Sequence, residues 1–199
     1  MFLAGANGAG KTTVASNYVA SRFPYWPQAN ADQLLLALQQ RGPVSQVPTD
    51  ALSAAKLVDQ AVLCLSLLGE PLIVETVFSS TKYQGVVPHA RRANLIFRLV
   101  YIATEHPDIN VARVRQRVAD GGHDVPEDRT RARWRRSLDN LPWFVQRADR
   151  LVVFDNSGEE LRVLALRHLD SPLEIRDTRH PACLRLLALA GARTLPAAG

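Results

Sequence analysis

The sequence predicts an α/β fold in three layers, with a mostly parallel sheet covered by helices on both faces. Three observations predict it. Short apolar runs alternate with helix-like stretches along the chain, the pattern of repeated strand–helix–strand units. The runs at 71–78 and 95–104, PLIVETVF and LIFRLVYIAT, are almost unbroken, as in strands buried on both sides. The chain also opens on three apolar residues, a glycine-rich turn and then TTVASNYVASRF, a strand–loop–helix unit.

Residues 2–4 form the first strand, short beside the usual ~5–6 residues, so the strand is clipped or continues upstream. A helix follows over about 11–22. Residues 25–30, YWPQAN, read as an edge segment, because Pro27 has no N–H to give a ladder. A helix runs from Asp32 to about Gln40, and Gly42, Pro43 and Pro48 mark a loop. Thr49 or Asp50 caps a long helix to about Leu68, with Leu52, Leu57, Ala61 and Leu65 on its apolar side and Gly69 as its stop. Residues 82–93 form a helix that Pro88 kinks or starts, and 107–120 another, with Pro107 in its first turn. GGHDVPED, 121–128, is a loop, and 129–140 is a very basic helix. Strands follow at 150–157 and 161–169, the latter a final edge strand. In the tail, 170–199, CLRLLALAG suggests a short packed helix and LPAAG a frayed end.

No linker, repeat or low-complexity run divides the 199 residues, so a single domain over 1–199 is expected. The hydrophobic share of 47% suits a chain with a real core. The longest apolar run is shorter than the ~20 residues a bilayer needs, and no secretory signal precedes the glycine-rich turn. Cys64 and Cys183 are isolated, without metal spacing. These features point to the cytoplasm, or to delivery by a route the chain does not reveal, with no membrane partner. The formal charge of +5 admits nucleic acid, but the arginines cluster at 113–136 without interleaved stacking aromatics, which argues against it.

Residues 5–12, GANGAGKT, match the phosphate-loop pattern G-x-x-x-x-G-K-[ST] in full. Gly5, Gly8 and Gly10 allow a tight turn and leave room for phosphate oxygens. With Ala6, Asn7, Ala9 and Thr13 they frame an ATP site of backbone N–H groups at a helix start. Lys11 is placed for the β- and γ-phosphates, and Thr12 for Mg²⁺. The fold class narrows to the P-loop NTPase/kinase type. In parallel sheets ligands sit beyond the carboxyl ends of the strands. That rule gathers Lys11 and Thr12, Asp32, Glu75 and Thr76, Thr104 and Glu105, and Asp155 and Asn156 at one edge.

The set GANGAGKT, NAD at 30–32, ETVFSS at 75–80, RVRQRV at 113–118, GGHDVPEDRTRARWRRSL at 121–138 and FDNS at 154–157 resembles the zeta-toxin family of small kinases, in its compact bacterial branch. The likeness runs in order through most of 1–158, and the GGHDVP segment with its flanking arginines is its most specific part. It implies ATP- and Mg²⁺-dependent phosphorylation of a hydroxyl on a UDP-activated amino sugar, and an antitoxin partner if the chain is a toxin. It makes Asp32 the general base; the alternative is that Asp32 only caps the helix it opens. Glu75 and Thr76 match the family's acceptor-binding Glu-Thr, though Glu75 can instead serve Mg²⁺ through water or a structural salt bridge.

Arg117 and Arg133 match the family's catalytic arginines, within an arginine-rich lid at about 117–136 hinged at Gly121 and Gly122. Arg113, Arg129, Arg131, Arg135 and Arg136 cannot all reach one phosphate, and each is read as solvated. His123 either meets a phosphate or fixes its turn. Asp155 and Asn156 either line the adenine pocket or shape a turn. Val77, Phe78 and Trp134 depart from the family pattern, which leaves the acceptor more open than the ATP site. A kinase of another small acceptor, or a non-catalytic ATP-binding switch, are the other readings.

Overall fold

The computed structural model describes residues 1–40, 50–122, 124–189 and 193–194. The expected loop at 41–49, His123 and the frayed LPAAG lie outside the described residues. Eight strands form one mixed sheet in the order β2-β3-β1-β4-β5-β6-β7-β8. They are β1 (Phe2–Ala4), β2 (Gln28–Ala29), β3 (Ile73–Thr76), β4 (Arg98–Ala103), β5 (Arg150–Asp155), β6 (Arg162–His168), β7 (Glu174–Ile175) and β8 (Arg193–Thr194). The first five pair in parallel, with β1 between β3 and β4. This is the mostly parallel α/β arrangement expected. The edge assignment for 161–169 is corrected: β6 runs antiparallel to β5 and is itself paired by β7.

Alternation along the strands sorts two cores. Phe2 and Ala4 face a large one with Val74, Leu99, Tyr101 and Val153, while Leu3 and Ile102 face a small one. The large core is covered by α3 (Ala51–Leu68), α4 (Val86–Arg92), α6 (Glu127–Val145) and the short α7 (Pro181–Leu184). The small one is covered by the helix after the phosphate loop, in which α1 (Lys11–Val14) passes into a π-helical turn, Ala15–Val19. The remaining helices are α2 (Ala31–Gln40) and α5 (Pro107–Ala119). A 3₁₀ turn, Lys82–Gly85, precedes α4, whose first turn accommodates Pro88.

Several local signals act as read. Asp50 caps α3 by accepting from the Leu52 and Ser53 N–H groups, while Thr49, the other candidate, lies outside the described residues. Gly69 ends that helix in the left-handed region. The predicted apolar side of α3 is corrected. Its buried stripe is Ala54, Val58, Val62 and Ser66, while Leu52 and Leu57 are exposed. A helix that is apolar nearly all round gives periodicity no purchase, and the small and β-branched side let it pack closely. At a mean hydropathy of 1.6, α3 is also long and apolar enough by composition to cross a bilayer. Here it packs on α2 and α4, and its Asp59 accepts two bonds from Lys82 and one from Tyr83.

The basic helix also differs from expectation. It runs to Val145, through Pro142, rather than stopping near 140. Burial of Leu141, Phe144 and Val145 outweighs the ~3 kcal/mol an internal proline costs. Segment 117–136, expected as a lid, comprises the end of α5, the glycine pair and the start of α6. The glycine pair expected as a hinge is a helix stop. Gly121 N–H donates to Val118 O and Gly122 N–H to Arg117 O, the two bonds of a Schellman motif.

Candidate active site

The phosphate loop leaves β1 and turns back into α1 with its carbonyls engaged by protein. Ala6 O accepts Lys11 Nζ at 3.1 Å, Asn7 O accepts Asn110 Nδ2 at 2.6 Å, and Ala9 O accepts Asn156 Nδ2 at 2.9 Å. With those oxygens turned inward, the loop's N–H groups are what it can offer an anion. Two glycines are required by this packing. A Cβ on Gly8 would lie 2.5 Å from Asn110 O, and one on Gly10 2.3 Å from Asn156 Nδ2, each at positive φ. Lys11 is 9% exposed. Burial lowers its pKa; Glu75 and Asp32 oppose that, and Arg117 and Arg133 reinforce it. A desolvated ammonium in an N–H cradle fits a polyphosphate.

The loop floors a cleft of about 570 Å³ at the carboxyl ends of the strands. Asp32 enters it from the first turn of α2. The cap of α2 comes from Asn30 rather than Asp32: Asn30 Oδ1 accepts from the Asp32 and Gln33 N–H groups. Asp32's carboxylate is therefore not committed to ending the helix.

Glu75, at the end of β3, accepts from the Thr12 hydroxyl at 3.1 Å and from Asn30 Nδ2 at 2.7 Å. That places a hydroxyl and a carboxylate side by side at the phosphate end of the cleft. It is an oxygen donor set of the kind Mg²⁺ takes alongside phosphate and water. Among the described residues no cluster of three or more His, Cys, Asp and Glu could hold a metal alone. Thr76 holds the loop, its carbonyl accepting Gly5 N–H at 3.2 Å.

The far wall carries Val77, Phe78, Ser79, Ser80, Lys82 and Tyr83. Phe78 is buried at a φ of 57° and stacks on Phe144 with centroids 3.8 Å apart, fixing this wall against α6.

Three arginines close the cleft: Arg113 and Arg117 from α5, Arg133 from α6. Arg113 is a correction to the expected solvated set. It is part-buried and donates to Asn156 O at 2.7 Å. Asn110, Arg113 and Arg117 lie three and four residues apart, one face of α5, and that spacing was the available signal. Arg129, Arg135 and Arg136 are exposed as expected, and Arg131 pairs with Asp108.

A neighbouring hollow of about 510 Å³ shares Gly10 and Thr13 with the cleft and is walled by Tyr18, Asn156, Glu159 and Leu161. Asp155 itself is buried and structural. Burial alone would raise its carboxyl, but the Ser157 hydroxyl and Arg162 outweigh it and hold the pKa below the ordinary value. His180, also buried, lies 3.5 Å from it.

A family model described as an AAA domain matches residues 1–142. No curated protein matches the chain. Among solved structures, the crystal structure of AvrRxo1-ORF1:-ORF2 with ATP superposes with a TM-score of 0.68 at 13% identity, over 84% of this chain and 58% of the matched one. The chain thus spans little more than half the length of that relative. The PezAT chromosomal toxin–antitoxin system of Streptococcus pneumoniae matches with a TM-score of 0.55 at 20% identity, over 77% of this chain and 65% of that one. These likenesses are of fold, and they agree with the zeta-toxin resemblance.

Proposed function

Because the chain belongs to this AAA-domain family of P-loop proteins, we propose that it is a single-domain ATP-dependent phosphotransferase acting on an alcohol. The preferred acceptor is a sugar hydroxyl of a UDP-activated amino sugar. One observation carries the reading. A buried lysine, three arginines and an uncommitted carboxylate converge on one cleft above a glycine cradle.

In this proposal the loop N–H groups and Lys11 bind the β- and γ-phosphates, and the base lies in the hollow beside Tyr18 and Asn156. Thr12 and Glu75 would hold Mg²⁺, whose positive charge would offset that of the phosphates. The acceptor lies against Thr76 and the Ser79–Ser80 wall. Asp32 accepts the proton of its hydroxyl while that oxygen bonds to the γ-phosphorus and the β–γ bridging bond breaks, leaving ADP. Arg117 and Arg133 offset the charge on the equatorial oxygens. An antitoxin partner and a cytoplasmic setting are proposed with it, supported by the likeness to the PezAT toxin–antitoxin system.

The test is incubation with ATP, Mg²⁺ and UDP-N-acetylglucosamine, read by mass spectrometry. A phosphorylated sugar is expected, reduced about 10²–10⁴-fold in Asp32→Asn with ATP affinity retained. Nucleotide binding without product from any alcohol in a panel of sugars, nucleosides and nucleotide sugars would instead favour a switch protein.

A further inference from the structure

Arg133 is tied to the phosphate loop through a closed ring of hydrogen bonds. Its Nη1 donates to Asn7 Oδ1 at 3.1 Å. The Asn7 backbone carbonyl accepts from Asn110 Nδ2 at 2.6 Å. Asn110 Oδ1 accepts the Thr104 hydroxyl, and that hydroxyl oxygen accepts the Trp134 indole N–H at 3.0 Å. Trp134 adjoins Arg133 on α6, so the circuit returns to its start. It joins the loop tip, α5, the end of β4 and α6, four elements that a chain separation of up to 126 residues keeps apart in sequence.

Each role in the ring is fixed by chemistry. An indole nitrogen can only donate, so the Thr104 oxygen accepts from it and sends its single proton to Asn110 Oδ1. That orients the amide, leaving Nδ2 to face the loop. Thr104 is 1% exposed and Asn110 is fully buried. A directional chain at such depth, with every member satisfied, stiffens its surroundings and strengthens its own links.

We infer that Thr104, Asn110 and Trp134 are positioning residues that set where the Arg133 guanidinium stands over the phosphate loop. None of the three is proposed to touch nucleotide. This rests on the phosphotransferase reading, in which Arg133 meets the phosphoryl group in flight. Misplacing a catalytic group by about 1 Å can cost on the order of 10²-fold, so fixing α6 to the loop has a consequence for rate beyond stability.

The test uses the full chain with Mg²⁺, comparing calorimetric affinity for ADP alone and for ADP with aluminium fluoride, a mimic of the phosphoryl group in transfer. The wild type is expected to favour the mimic. Thr104→Val removes the hydroxyl but leaves the indole N–H its 3.2 Å bond to the Thr104 backbone carbonyl. The preference for the mimic should fall at least tenfold, ADP affinity should stay within about twofold, and Thr104→Ser should restore the preference. Trp134→Phe takes the same comparison if the valine variant does not fold. A Thr104→Val protein that melts earlier yet keeps its full preference would overturn the inference and leave the kinase reading standing. A wild type that binds ADP but shows no preference for the mimic would overturn both.

Discussion

Replacing Lys11 by Met should move stability and nucleotide affinity in opposite directions. The ammonium has one hydrogen bond among the described residues, to Ala6 O, and is almost wholly withdrawn from water. Methionine forfeits that bond, about 1.5–3 kcal/mol, but removes an ion whose effective burial costs several kcal/mol. The nucleotide-free protein should gain on the order of 1 kcal/mol, or about 3 °C in Tm for a chain of this size.

The gain has a definite pH signature. Burial depresses the folded-state pKa of Lys11 below 10.5, so as pH rises the folded protein releases this proton before the unfolded chain does. Stability from this group therefore rises with pH, and the advantage of Lys11→Met should shrink as pH rises towards 10.5.

With ATP the sign reverses. Losing charge-assisted bonds to the β- and γ-phosphates, at about 1.5–3 kcal/mol each, predicts roughly 10²–10⁴-fold weaker binding. AMP affinity should change little. Differential scanning calorimetry and titration calorimetry read both effects. A destabilised nucleotide-free variant would refute the argument from desolvation, and unchanged ATP affinity would refute the assignment of the loop.

Other perturbations test the neighbouring geometry. Glu75→Gln keeps one acceptor oxygen, enough for Thr12 or Asn30 but not both, and removes the charge, so the Mg²⁺ concentration for half-maximal turnover should rise about 10–100-fold. A magnesium titration that is unchanged would move the metal elsewhere. Gly8→Ala places a Cβ against Asn110 O at positive φ and should cost about 2 kcal/mol or more, a fall in Tm of about 4–8 °C. A Tm equal to that of the wild type would show that the loop yields freely there. Burial lowers the His180 pKa below 6.5 against the pull of Asp155, so the unfolded chain takes up this proton first as pH falls. Its contribution to stability is present above about pH 6.5 and lost below it. Melting curves between pH 7.5 and 5.5 should show that loss, and His180→Asn, which keeps a helix-capping acceptor for the Ala182 N–H, should flatten it.

What was legible in the sequence was local, and what was missed acts at a distance. The phosphate loop declares itself because glycines, lysine and threonine must stand at fixed spacing to serve one ligand. The strands β3, β4 and β5 declare themselves because double burial demands apolar runs. The strand-end rule places Asp32 and Glu75 at one edge of the sheet, and both line one cleft.

Charge at helical spacing carried less. Arg113 and Arg129 look alike in sequence, yet one lines the cleft and the other is exposed. Least legible was the hold of Asn110 and Asn156 on the phosphate loop, because in this neither answers to a neighbour in sequence. Each donates to a carbonyl of the phosphate loop, 103 and 147 residues away. A polar side chain that serves backbone leaves no motif, since any carbonyl will accept it and only the fold says which one is near. Turning those carbonyls inward nonetheless decides that the loop presents N–H groups. The anion site therefore depends on two asparagines outside the motif as well as on the motif itself.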